Sequence, residues 1–112
     1  MNLDFRTVEG VLIGRVLDTR IDAHATPDLK AKLGERIEKG ESRVVLDLSA
    51  VELVDSTGLG GMLSLLKKMP RGGNLVLFGC RPTIVELLKL TRLDRVFPIA
   101  ATEREALASF SR

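Results

Sequence analysis

Val44-Val45-Leu46-Asp47-Leu48-Ser49-Ala50-Val51 and, two residues later, Val54-Asp55-Ser56-Thr57-Gly58-Leu59-Gly60 form the most strongly patterned passage of this chain. Val44 to Leu48 is a short, nearly continuous apolar run, which suits a strand buried on both faces of a parallel sheet. Val51 to Val54 leads into Asp55-Ser56-Thr57-Gly58, a polar segment of the kind that opens a helix. Leu59, Met62, Leu63, Leu66 and Met69 give that helix its apolar side, and Pro70 stops it.

The same alternation continues on either side. Downstream, Asn74 to Gly79 carries Leu75, Val76, Leu77 and Phe78, another buried strand. Pro82 opens a helix with Ile84, Leu87, Leu88 and Thr91 on one side. Val96 to Ile99 reads as a short last strand, weakened by Pro98. Thr102-Glu103-Arg104-Glu105 is a capping box for a final helix, with Ala106, Leu107 and Phe110 inward. Upstream, Thr26-Pro27-Asp28 starts a helix, with Thr26 as cap and Asp28 complementing the dipole. Leu29, Leu33 and Ile37 share one face at i, i+4, i+8, Glu35 and Lys39 pair outside, and Gly40 ends it. Before that, Leu3 and Phe5 alternate with polar residues, Glu9-Gly10 turns the chain, and Val11 to Leu17 returns as a hairpin. Strand, strand, helix and three further strand–helix units predict an α/β fold: a mixed, mostly parallel sheet of about five strands with about four helices. No linker or repeat interrupts residues 1–112, so a single domain is expected.

Composition narrows the function classes. Of 112 residues, 45% are hydrophobic, enough for a core built on Leu, Val, Ile and Ala. There is no Trp or Tyr, so stacking platforms for single-stranded nucleic acid are essentially missing. A net charge of +2 is too balanced to argue for DNA or a membrane surface. No apolar run approaches the roughly 20 residues of a membrane span. Met1 to Arg6 alternates charged and apolar residues and is not a signal peptide. Cys80 is the only cysteine, which excludes an intrachain disulfide and fits a reducing compartment. A cytoplasmic protein is expected.

Enzyme readings find little support. His24, the sole histidine, has no Cys or second His near it in sequence, so no metal site of the usual type is expected. A Ser–His–Asp triad would need His24 beside Ser56, and the local sequence is not Gly-x-Ser-x-Gly. Cys80 precedes a helix, but the phosphatase-like spacing would require Arg where Glu86 stands. Gly58, Gly60 and Gly61 match neither Gly-x-Gly-x-x-Gly nor the Walker A pattern, so no nucleotide cofactor is expected. A hydrolase or transferase using Ser56 or Cys80 has no committed base.

What remains is Asp55 to Gly60. An N-cap explains its polar residues. It does not explain three glycines in the first turn and a half, each costing about 1 kcal/mol relative to alanine in a helix interior. Glycine leaves a bare helix surface to which another backbone can come close. A phosphate on Ser56 would meet free amides and the positive dipole end, so the fold should tolerate it. It would add about −1.5 to −2 charge to an exposed face and repel a partner packed there.

On these residues the chain resembles the STAS domains that act as anti-sigma factor antagonists. An apolar strand ending in Asp-x-Ser (Asp47-Leu48-Ser49), then Asp-Ser-Ser/Thr-Gly-Leu-Gly (Asp55 to Gly60), is that family's hallmark. Ile21-Asp22 before Thr26 resembles its Leu-Asp segment, and Arg92-Leu93-Asp94 leading to Val96-Phe97 its late Gly-Leu-x-x-x-Phe segment. The resemblance implies a non-enzymatic antagonist that binds an anti-sigma factor serine kinase and so frees a sigma factor. The kinase then phosphorylates Ser56, and a metal-dependent serine phosphatase restores the active form. It also implies a partner-binding surface of Asp22, Asp55, Ser56, Thr57, Gly58 and Gly60. Two departures stand out. Arg20 puts a positive charge on that surface, and Arg92 stands where glycine is frequent. The alternative is a non-switched STAS docking module, such as the cytosolic accessory subunit of a lipid transporter or a regulator in another partner-switching pathway.

Overall fold

The first two strands, β1 (Leu3–Val8) and β2 (Val11–Val16), pair antiparallel across a two-residue turn in which both Glu9 (φ 54°) and Gly10 (φ 79°) are left-handed. That turn matches the right-handed twist of the flanking strands. The structure, a computed structural model, describes residues 2–110. The chain continues through β3 (Arg20–Ile21), α1 (Thr26–Glu38), β4 (Arg43–Asp47), β5 (Leu53–Val54) and α2 (Ser56–Lys67). After these come β6 (Asn74–Phe78), α3 (Pro82–Leu90), a 3₁₀ turn at Leu93–Arg95, β7 (Ile99–Ala100) and α4 (Glu103–Ala108).

Five strands form one sheet in the order β1-β2-β4-β6-β7, antiparallel only between β1 and β2. The expected mixed, mostly parallel sheet with four helices is what the chain forms. The unbroken apolar run of β4 is explained by burial on both sides. Val44 and Leu46 enter the larger core with α1, α2 and α3, while Val45 joins Val11, Ile13, Val76 and Ala106 on the face that α4 covers. Successive side chains of a strand point to opposite faces, so a strand covered on both must be apolar throughout.

Leu29, Leu33 and Ile37 are buried as their spacing predicts, and Lys39 Nζ lies 2.9 Å from Glu35 Oε1. Thr102 caps α4 by accepting from the Glu105 N–H at 3.1 Å, and Glu105 accepts in return from the Ala101 N–H.

Several expectations need correction. The last strand is Ile99–Ala100, not Val96 to Ile99. The chain first winds through the 3₁₀ turn, entered by Arg92 at φ 61°, and this drives Phe97 wholly into the core. Thr26 does not cap α1 but is its first helical residue, and the Ala25 cap position makes no side-chain bond. Thr91 lies outside α3 and is exposed, its hydroxyl donating back to the Leu87 carbonyl. In α2, Leu65 is fully buried while Leu63 is only half-buried. The inward face turns toward Leu65 because α2 packs on α1 as well as on the sheet, with Gly34 of α1 opening onto the Leu65 side chain. The two-residue parallel pair β3–β5 was not expected at all. No helix among the described residues is long and apolar enough to cross a membrane.

Candidate functional site

The site is built where α2 begins. Asp55 occupies the N-cap in extended backbone, and its carboxylate accepts from the Gly58 N–H at 2.8 Å. Such a bond satisfies one of the orphan donors of a helix start. Ser56 is therefore the first helical residue, and both Ser56 and Thr57 are exposed.

The β3 strand fixes this helix start from the side. Ile21 pairs with Val54, and the Ile21 carbonyl accepts from the Asp55 N–H at 3.2 Å. The same carbonyl lies so close to Gly58 that a Cβ there would collide with it. At Gly61 a Cβ would collide with the methyl group of Thr26. Two of the three clustered glycines thus serve close approach within the chain itself, and Gly58 is buried. Only Gly60 looks onto open space.

Asp22 organises the loop that follows β3. Its Oδ1 accepts from the Ala25 N–H at 3.0 Å and the His24 N–H at 3.1 Å. Its carbonyl accepts from both the amide (2.9 Å) and the hydroxyl (2.6 Å) of Thr26. The Ala25 amide, followed by that of His24, holds the Asp22 carboxyl below its usual range, so the turn keeps its charge at neutral pH. Asp22 thus closes the turn that leads into α1, which itself carries no side-chain cap. The consequence is a shallow groove between the starts of α1 and α2, lined by Thr26, Pro27, Lys30, Thr57, Gly60 and Gly61.

Asp22, Asp55, Ser56, Thr57, Gly58 and Gly60 thus gather around one end of α2. Asp22 and Asp55 organise backbone, Gly58 permits packing, and Ser56, Thr57 and Gly60 are exposed. Lys30 and Pro27 were missed. The signal was Gly61, a helix-interior glycine that needs a close neighbour, and Thr26 with the Lys30 stem is that neighbour. His24 is exposed, and no hydrogen bond joins it to Ser56 among the described residues. Cys80 belongs elsewhere, between β6 and α3. Burial, with the negative charge of Asp47 nearby, pushes its thiol up to about 11, the opposite of what a nucleophile needs. Asp47 itself is buried, accepting from the Ser49 N–H at 2.9 Å where β4 ends.

Comparison with known proteins places this architecture. The STAS domain family matches residues 2–106. The Bordetella bronchiseptica protein BtrV, named as a candidate anti-sigma factor antagonist, is 32% identical over 111 residues, covering 98% of this chain and 95% of that protein. The anti-sigma F factor antagonist of Paenibacillus polymyxa is 28% identical, covering 96% of this chain and 92% of that one. The crystal structure of an anti-sigma factor antagonist from Mycobacterium paratuberculosis superimposes with a TM-score of 0.90 at 26% identity, over 99% of this chain and 94% of that one.

Proposed function

This chain belongs to the STAS domain family, and from that membership we propose that it is an anti-sigma factor antagonist switched by phosphorylation of Ser56. Unphosphorylated, it binds an anti-sigma factor that is also a serine kinase and releases a sigma factor. Phosphorylated, it lets the kinase go, and a metal-dependent serine phosphatase returns it to the binding form. It acts in the cytoplasm as one domain and catalyses no reaction of its own.

The observation that carries this reading is the exposed Ser56 at the first position of a rigidly anchored helix. Its neighbour Asp55 is spent on the Gly58 amide, and the Ile21 carbonyl secures the strand before it. A phosphate at a helix N-terminus meets the positive end of the dipole, so the domain keeps its fold. The added charge of about −1.5 to −2 instead falls on whatever packs against that surface. A switch of this kind needs no conformational change, only a partner that must bury the serine. Asp22 and Asp55 hold the docking backbone in place, and Thr57 and Gly60 form its outer contact.

The test is a pair of measurements on Ser56→Asp. Its thermal unfolding midpoint should match that of the wild type within a few degrees. Its affinity for the kinase should fall by about a hundredfold, that is about 2.7 kcal/mol, a modest cost for a like-charge or desolvated-charge contact. A Ser56→Asp chain that binds as tightly as the wild type would instead favour a docking module that is not switched.

A further inference from the structure

We propose that Arg20, bracketed by the exposed Leu17 and Leu53, is a specificity-determining contact of the docking face and selects a kinase surface that presents an acidic side chain beside apolar ones. The proposal rests on the reading of this face as the one that meets the anti-sigma factor kinase. It adds the apolar residues that flank Arg20 and the partner chemistry they select together.

The β3–β5 pair creates the arrangement. Arg20 is the Cα partner of Leu53, and Ile21 of Val54. Ile21 and Val54 are buried, so strand alternation sends Arg20 and Leu53 outward side by side. Leu53 is 48% exposed and Leu17 40%, two of the four large hydrophobic residues that stand out on the described surface. Leu17 and Arg20 also line a common concavity with Asp22 and His24. Asp55 and Ser56 continue directly from β5, so this patch is continuous with the switch.

Charge accounting gives the sign. The Asp22 and Asp55 carboxylates are engaged by backbone amides. Asp18 accepts from the Asn2 N–H at 2.9 Å, and Glu52 faces Arg81 at 3.9 Å. The Arg20 guanidinium has no hydrogen-bond or ion-pair partner among the described residues. Asp18, Asp22 and Asp55 keep their negative charge, but their oxygens are occupied by backbone amides, and Arg20 is the charged side chain of this concavity whose donors are free for a partner's carboxylate. Leu17 and Leu53 would shed water on docking, and an ion pair gains strength as its surroundings dry. A phosphate on Ser56 would then act twice, repelling the acidic partner and cancelling the attraction of Arg20.

The experiment titrates each anti-sigma factor kinase of the source organism with the wild type, Arg20→Ala, Arg20→Glu and Ser56→Asp, in dilute buffer and in about 0.5 M salt, where screening is nearly complete within a few ångströms. Arg20→Glu should bind about tenfold or more weakly in dilute buffer, Arg20→Ala less so, with the gap narrowing in salt but not vanishing, since the docked pair is partly dried. Unfolding midpoints should not move, because the Arg20 side chain has no partner to lose. If Arg20→Glu binds as well as or better than the wild type while Ser56→Asp is weak, this proposal falls and the switch stands. If Ser56→Asp binds like the wild type while Arg20→Glu is weak, the switch falls and the Arg20 contact stands. A wild-type chain that dimerises without kinase, and whose Arg20→Glu variant is monomeric, would assign the patch to a second copy and overturn the proposal.

Discussion

Gly58 and Gly60 stand two residues apart and play opposite parts. Gly58 makes room for the carbonyl of Ile21, and Gly60 makes room for nothing in the chain. Gly58→Ala should therefore cost about 2–3 kcal/mol, because backbone must move to admit the methyl group. Gly60→Ala should add about 0.5–1 kcal/mol by removing helix-interior glycine entropy. Urea unfolding of the two variants reads both, and a neutral Gly58→Ala would mean that β3 does not clamp the helix start. The sequence announces that these glycines need a reason, since an ordinary cap uses none of them. It cannot say which glycine meets the chain itself and which is left for a partner. That division depends on where β3 and the start of α1 come to rest, and those contacts lie 37 and 35 positions away in sequence, from Ile21 to Gly58 and from Thr26 to Gly61.

Elements whose hydrophobic period matches their packing were legible. The β4 and β6 runs and the Leu29-Leu33-Ile37 stripe needed only one buried face or two, and spacing reports that. Elements shaped by a second neighbour were less so. The inward set of α2 includes Leu65 because α1 covers that side, which no single-helix pattern displays. The β3–β5 pair is two residues per strand, too short for alternation to register, yet it positions the start of α2. The approach to β7 was misread because Val96 and Phe97 are apolar in a turn rather than a strand. The turn between β6 and α3 yields a chemical prediction. With its thiol pushed up to about 11, Cys80 should carry about a hundredfold less thiolate at pH 8 than an ordinary cysteine near 9. Maleimide labelling of the folded protein at pH 8 should be slower than in urea by that order, and should accelerate as the pH climbs toward 11. Equal rates folded and unfolded would contradict the burial of this group.

For the whole molecule, the sheet is scaffold and one end of α2 is where the proposed function would be carried. The two cores hold β4 and β6 rigid from both faces, and the chain leaving β4 delivers β5, Asp55 and Ser56 to the surface in succession. A phosphate placed there changes the surface without reaching the core. Under the proposed function, that separation would let a charged modification control binding while the fold stays intact. The sequence motif singles out Ser56, and the structure puts it at the exposed start of α2; the positive charge of Arg20 was legible too, but its pairing with the exposed Leu53 was not, because the two become neighbours only through strand pairing.

The most direct test of the switch is the intact mass of the protein after incubation with ATP and its anti-sigma factor kinase, for the wild type and Ser56→Ala. The account predicts that the wild type gains the mass of one phosphate and that Ser56→Ala gains none. A wild type that stays unmodified, with the kinase active on another substrate, or a Ser56→Ala chain that is modified equally, would contradict it.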